Sequence, residues 1–340
     1  MKGRTLALCI LLAAAQAAAE QPSQASERLF AFHNPIGLNL HHFLYWRAHP
    51  HSRQTGEVAD WPADLSEAER GAVDRAVAYY EQAFEKQDLL FSDRLYEIKI
   101  ELAKHDGSDA FAGLELDPEH AAVLEALVSV YRRRLWPSHQ AANQRWIEAM
   151  EREVERHGEA LKGRLAAAYQ DDFPATPIRV DVVAEGHWAG AYTTVRPVHV
   201  VITSTRPANQ GRSGLEIVFH ETSHGILGPN GGTPVDKLAS EFEKRGERPS
   251  RDLWHVLLFY TTGDVLKAYW RDLGEAAYEP YAYAHGLYRG RWAPMLPAME
   301  QDWQPYLDGT ITMDDAVQRI VDRLTAPPPA SQPVEPGDGG

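Results

Sequence analysis

Apolar residues recur every three or four positions through most of the first half of the chain. After residue 177 the interval shortens to two. Val73, Val77, Tyr80 and Phe84 share one helical stripe. They follow Leu65-Ser66-Glu67-Ala68-Glu69, a capping serine with acidic first-turn residues. Leu116-Asp117-Pro118 opens a second helix with proline at its first position, and Trp136-Pro137-Ser138 opens a third that extends beyond Met150. The pattern predicts helices from Leu65 to about Gln170. Ile178 to Val183 alternates apolar and polar residues, as a strand does. Ala191–Val195 and Val198–Thr203 are β-branched runs split by Arg196-Pro197, and predict a hairpin. Helical spacing then returns at Leu215–Gly225, from Pro234 to about Arg245, from Asp252 to Trp270 and from Thr312 to Leu324. The expected class is α+β, predominantly helical, with a small sheet.

The N-terminus adds an address. Met1 to Arg4 is basic, Thr5 to Leu12 is apolar, and Ala13 to Ala19 is rich in small residues, so residues 1–19 predict a signal peptide. Residues 20–28 look like a polar linker, 29–175 a helical lobe, 176–325 a second region, and the Pro/Gly-rich 326–340 a disordered tail. The aromatic and histidine-rich segment Phe30–Tyr45 is expected to pack on the body. Roughly 300 residues suffice for a sizeable core. No later apolar run approaches the ~18 residues of a membrane span. The expected location is periplasmic or secreted.

Charge and cysteine content narrow the chemistry. Loss of Lys2 and Arg4 with the signal takes the formal charge from −14 to −16. Such a chain is a poor partner for nucleic acid or anionic lipid. Arg132-Arg133-Arg134, the densest basic run, reads as a solvated helix face. Cys9, inside the apolar part of the signal, is the only cysteine. No thiolate is left as nucleophile or ligand, so any metal must be held by His, Asp or Glu.

The strongest chemical signal is His220-Glu221-Thr222-Ser223-His224 within the apolar helical run. Residues four apart stand one above the other on a helix, so both histidines can hold one zinc ion. Glu221 then lies beside the metal, placed to take a proton from water. Ile217, His220, His224 and Leu227 share a stripe, which turns the histidines inward among apolar groups. Buried together without partners they would be costly, and a metal resolves that cost. Gly228–Gly232 is not a phosphate loop, for no strand leads into it and no Lys-Ser/Thr follows. No G-x-S-x-G elbow supports a serine triad. His33, His41, His42, His49 and His51 are scattered; His41 and His42, being adjacent, cannot both face one metal on a helix.

The HExxH helix behind a strand hairpin resembles the zincin metallopeptidases over about residues 178–270. The resemblance implies a zincin-like core in which an edge-strand sheet packs on that helix. His220 and His224 would be zinc ligands and Glu221 the general base. Metzincins place Gly and His where this chain has Leu227 and Asn230, which excludes that subgroup. The outline is closest to the gluzincins, whose third ligand is a Glu about 20 residues on. Here Glu241 and Glu243 stand near that distance without the usual Asn-Glu pattern. His255, polar within the apolar run Asp252–Tyr260, ranks first as third ligand, before Glu241 and Asp236. Tyr260, Tyr281, Tyr283, His285 and Arg289 are candidates for holding an oxyanion.

The expected function is an exported zinc hydrolase, most simply a peptidase, whose partner is a peptide or protein substrate pairing with the strand Val198–Thr203. The alternative is a non-catalytic exported binding or assembly protein on a zincin-like fold. A fourth protein ligand closing the metal would favour that alternative.

Overall fold

The computed structural model describes residues 28–49, 61–105, 110–111, 113–275 and 277–327. The expected signal peptide, almost all of the linker and most of the tail lie outside these residues. Four strands form one mixed sheet: β1 (Phe30–His33), β2 (Ile178–Val183), β3 (Ala191–Val195) and β4 (Val198–Thr203), in the order β1-β2-β4-β3. β1 and β2 run parallel, as do β2 and β4, while β3 is antiparallel to β4. The hairpin is thus present, with its roles reversed from expectation. Val198–Thr203 is a central strand, and β3 is the edge. The physical reason is composition: VHVVIT is apolar almost throughout, as suits a strand covered on both faces.

Helices cover the sheet. α1 (Ile36–Ala48), α2 (Glu67–Ala83), α3 (Asp93–Lys104) and α4 (Pro118–Arg134) build a core with Val183, Tyr192 and Val201. α5 (Trp136–Tyr169), α6 (Gly211–Ser223), α7 (Thr233–Lys244) and α8 (Leu253–Asp272) build the other with Val180, Val182, Val200 and Ile202. The short helices α9 (Tyr281–Ala284), α10 (Leu296–Ala298) and α11 (Gln304–Leu307) lead to α12 (Met313–Thr325), which packs on α7. Alternate positions of a strand face opposite ways, so the sheet separates the two cores. β1 pairs with β2, and α5 packs against α6 and α8.

Local signals explain the ends of several helices. Ser66 and Glu69 form a reciprocal capping box at α2. Asp117 caps α4 ahead of Pro118. The arginine run closes α4, and Arg133 and Arg134 reach across to Glu69 at 3.1 and 3.2 Å. Of the polar positions of β2, Arg179 is half-buried and only Asp181 is shut off from water. Asp181 is fully buried and accepts hydrogen bonds from His199 and Arg179. Burial pushes its carboxyl up, but these partners outweigh burial and hold it below the usual range. Among the described residues no helix is long and apolar enough to cross a membrane.

Candidate metal centre

α6 presents the HExxH residues from a buried helix. Every residue from Gly214 to Ser223 is buried. Gly214 permits the close start of this helix, since a Cβ there would stand 2.3 Å from the Asn209 carbonyl oxygen. Thr222 and Ser223 donate to the carbonyls of Val218 and Phe219, both at 2.8 Å, so the polar filler of the motif is satisfied within its own helix. His224 caps the helix with helical backbone angles, and the i, i+4 relation to His220 is preserved.

The second contributor is α8, which enters beside α6 with His255 in its first turn. His220, His224 and His255 each offer a ring nitrogen to a group whose ligand atoms all lie within 4.8 Å of one another. This group could hold a metal ion. His220 Nε2 and His255 Nε2 are 3.3 Å apart. Two nitrogens bound about 2.05 Å from a tetrahedral ion stand about 3.3 Å apart, so the pair has the spacing of two ligands. His220 is buried, whereas His224 and His255 are half-buried, leaving one side of the group open. No further His, Cys, Asp or Glu among the described residues joins it. Glu241 is engaged elsewhere, by Lys244 and Arg245 at 2.7 and 2.5 Å. Asp236 is exposed beside Gly231.

Electrostatics suit a cation. Burial, then the neighbouring His224 and His255, drive His220 well below the usual imidazole range. His224 is lowered in the same way, by burial and then His255. Burial and the Arg291 charge take His255 down to about 4. All three are therefore neutral at pH 7, the form that binds metal. His220 Nδ1 is buried without a hydrogen-bond partner. The bond that usually orients a ligating imidazole is absent there. Phe259, one turn after His255 on α8, fixes the ring plane instead, with centroids 3.6 Å apart and planes at 24°.

Glu221 points to the sheet side of the group. Its Oε2 lies 4.0 Å from His224 Nε2 and accepts from the Thr193 hydroxyl at 2.8 Å. Burial lifts its carboxyl to about 7, against the Thr193 hydrogen bond and the charge of Lys99. Lys99 is itself fully buried, donating to Thr194 Oγ1 at 2.7 Å and to the His199 carbonyl at 3.1 Å. Burial draws its amine down to about 7. Thr193, Lys99 and Phe259 are the functional neighbours that the sequence did not reveal. Each meets its partner through tertiary packing, although a phenylalanine one turn beyond His255 was a usable hint.

The oxyanion candidates separate. Tyr260 donates to Gln304 and Tyr283 to Glu300, both at 2.7 Å, so both hydroxyls are committed elsewhere. Arg289 is exposed and folds over Gly286. Tyr281 packs behind Phe259, the ring stacked on His220: its own ring is nearly parallel to Phe259 at 6.3 Å and lies 4.4 Å from that of His285. Burial raises its hydroxyl, and the charges of Arg206 and Glu221 both reach it.

Among the described residues the remaining histidines form no second metal-binding group. His41 bonds Tyr80, while His42 bonds the Leu38 carbonyl and Tyr192, so the adjacent pair points apart. His49 bonds the carbonyls of Tyr45 and Phe84, and His51 lies outside the described residues. Comparison with protein-family profiles, curated proteins and solved structures finds no match to this chain.

Proposed function

We propose that this chain is an exported zinc-dependent hydrolase with a zincin-like core, acting on peptide bonds. The observation that carries the reading is one convergence. Three neutral imidazoles from α6 and α8 meet beside Glu221, and Glu221 is hydrogen-bonded to the edge strand. An all-nitrogen set of three with an open side favours zinc in a catalytic rather than a closed structural role. When bound, zinc supplies Lewis acidity, polarising a carbonyl and lowering the pKa of water at its open position to ~7.

The chain's own residues supply the rest. Glu221 takes a proton from the attacking water and returns it to the leaving amine. Thr193 aims the acceptor oxygen Oε2. β3 offers a strand edge with no partner among the described residues, to which an extended peptide can bond through its main chain. Tyr281 is the donor best placed to meet the oxyanion. Export to the periplasm or beyond rests on residues 1–19.

The test compares the zinc-loaded chain with Glu221→Gln on a mixture of defined peptides, with products read by mass spectrometry. Hydrolysis by the first and none by the second, both holding zinc, supports the reading. Equal hydrolysis by both removes Glu221 as the base. Zinc without hydrolysis in the unaltered chain moves the protein to a non-catalytic role.

A further inference from the structure

We propose that Arg206 is a specificity-determining residue that receives a carboxylate of the bound peptide, an inference that rests on the hydrolase reading above. Arg206 follows β4 and folds back over the loop that enters β3. Gly190 makes this possible. Its φ is +82°, and a Cβ built there would lie 2.3 Å from Arg206 Cδ and 2.4 Å from Nη1. Arg206 Nη1 donates to the Trp188 carbonyl at 2.6 Å. The Asn209 amide clamps the same loops by donating to the carbonyls of Gly190 at 2.9 Å and Thr203 at 3.0 Å. The guanidinium is thus held in place before any ligand arrives, which removes ordering cost from recognition.

Its hydrogen-bonding capacity is largely unspent. A guanidinium carries five N–H donors. Among the described residues no carboxylate pairs with Arg206, and its Nε is buried without an acceptor. Acids outnumber Lys and Arg by 48 to 34 in this chain, so a cation left without an acid is against the trend. Arg206 is also within electrostatic reach of the site: its charge is felt by both Tyr281 and His285, and Tyr281 feels the charge of Glu221 as well. Trp188, whose carbonyl it grips, is 41% exposed, a bare aromatic surface on the same rim.

Strand spacing sets the register. Gly190 is the turn residue immediately before β3 and stands three residues ahead of Thr193, at most about 10 Å away along the chain. Thr193 is where Glu221 meets the edge strand. A peptide paired with β3 therefore brings a group some three residues from the cut bond to Arg206. That group is an Asp or Glu side chain, or a chain-terminal carboxylate. Guanidinium and carboxylate match as a two-point fork, and an amide or an ammonium does not replace the carboxylate.

The experiment uses two random peptide libraries, one C-terminally amidated and one with a free terminus. Each is digested by the zinc-loaded chain and by Arg206→Ala, Arg206→Lys and Arg206→Glu. The quantity read is the acidic-over-neutral ratio of kcat/KM at each position, taken within one variant so that any loss of folded protein cancels. The unaltered chain is expected to favour Asp or Glu two to four residues from the cut in the amidated library, or to cut at that distance from the free terminus. Arg206→Ala should lower this ratio by about tenfold or more. Arg206→Lys should keep its sign, and Arg206→Glu should turn it toward Lys and Arg. Cleavage without such a preference, or a preference unchanged in Arg206→Ala and Arg206→Glu, overturns the role of Arg206 and leaves the hydrolase standing. Absence of all cleavage removes the hydrolase and this role together.

Discussion

The Thr193 hydroxyl donates to Glu221 Oε2 at 2.8 Å, tying the edge strand to the HExxH carboxylate. Burial raises that carboxyl, and this bond opposes burial. Thr193→Val keeps the shape and removes the donor. Because Glu221 must be ionised to act as base, the acid limb of the kcat/KM profile should move to higher pH, with zinc content unchanged. A profile measured from pH 5 to 9 that superimposes on that of the unaltered chain would refute this role.

Phe259 stacked on His220 substitutes for the missing hydrogen bond at Nδ1. Phe259→Ala should destabilise the fold by about 3–5 kcal/mol through the cavity it leaves. It should also weaken zinc binding by about tenfold, the low end of what losing an orienting partner costs. Denaturant unfolding of the metal-free form and zinc titration against a chelator separate the two effects. Unchanged zinc affinity in folded Phe259→Ala would show that the stack does not orient the ring.

Glu216 lies one turn before His220, fully buried, and its Oε2 accepts from Tyr278 and from the Tyr281 amide while Oε1 has no partner. Burial lifts its carboxyl to about 7 from 4.5. The raised value means the folded state holds the proton more tightly. The resulting stability is fully present below pH 4.5 and is lost as pH rises toward and through about 7. The loss is on the order of 3 kcal/mol. Glu216→Gln should flatten the fall in stability between pH 4.5 and 8, as followed by urea unfolding. A slope equal to that of the unaltered chain would contradict it.

Helices and the metal motif were readable because their information is local. Capping residues, the i, i+4 histidines and a lone histidine in an apolar helix each announce themselves within a few residues. The sheet was harder. β1 is four residues long and pairs in parallel with a strand about 150 positions away, a pairing that no local pattern specifies. Val198–Thr203, expected as the edge, has a nearly unbroken apolar run that fits a central strand, and Thr193-Thr194 fits the edge. Arg179 and Asp181 read as a polar alternation, yet Asp181 is fully buried and paired with both Arg179 and His199. Nothing local in the sequence singles out Lys99 or Arg206. Only the fold places one beneath β3 and the other across Gly190.

The most direct test of the centre is metal content by plasma mass spectrometry on the reconstituted chain and on His220→Ala, His224→Ala, His255→Ala, Glu241→Ala and Asp236→Ala. A three-histidine site predicts one zinc per chain, lost in each of the three histidine variants and kept in the two acidic ones. No zinc in the unaltered chain, or full occupancy in His255→Ala, would contradict the account.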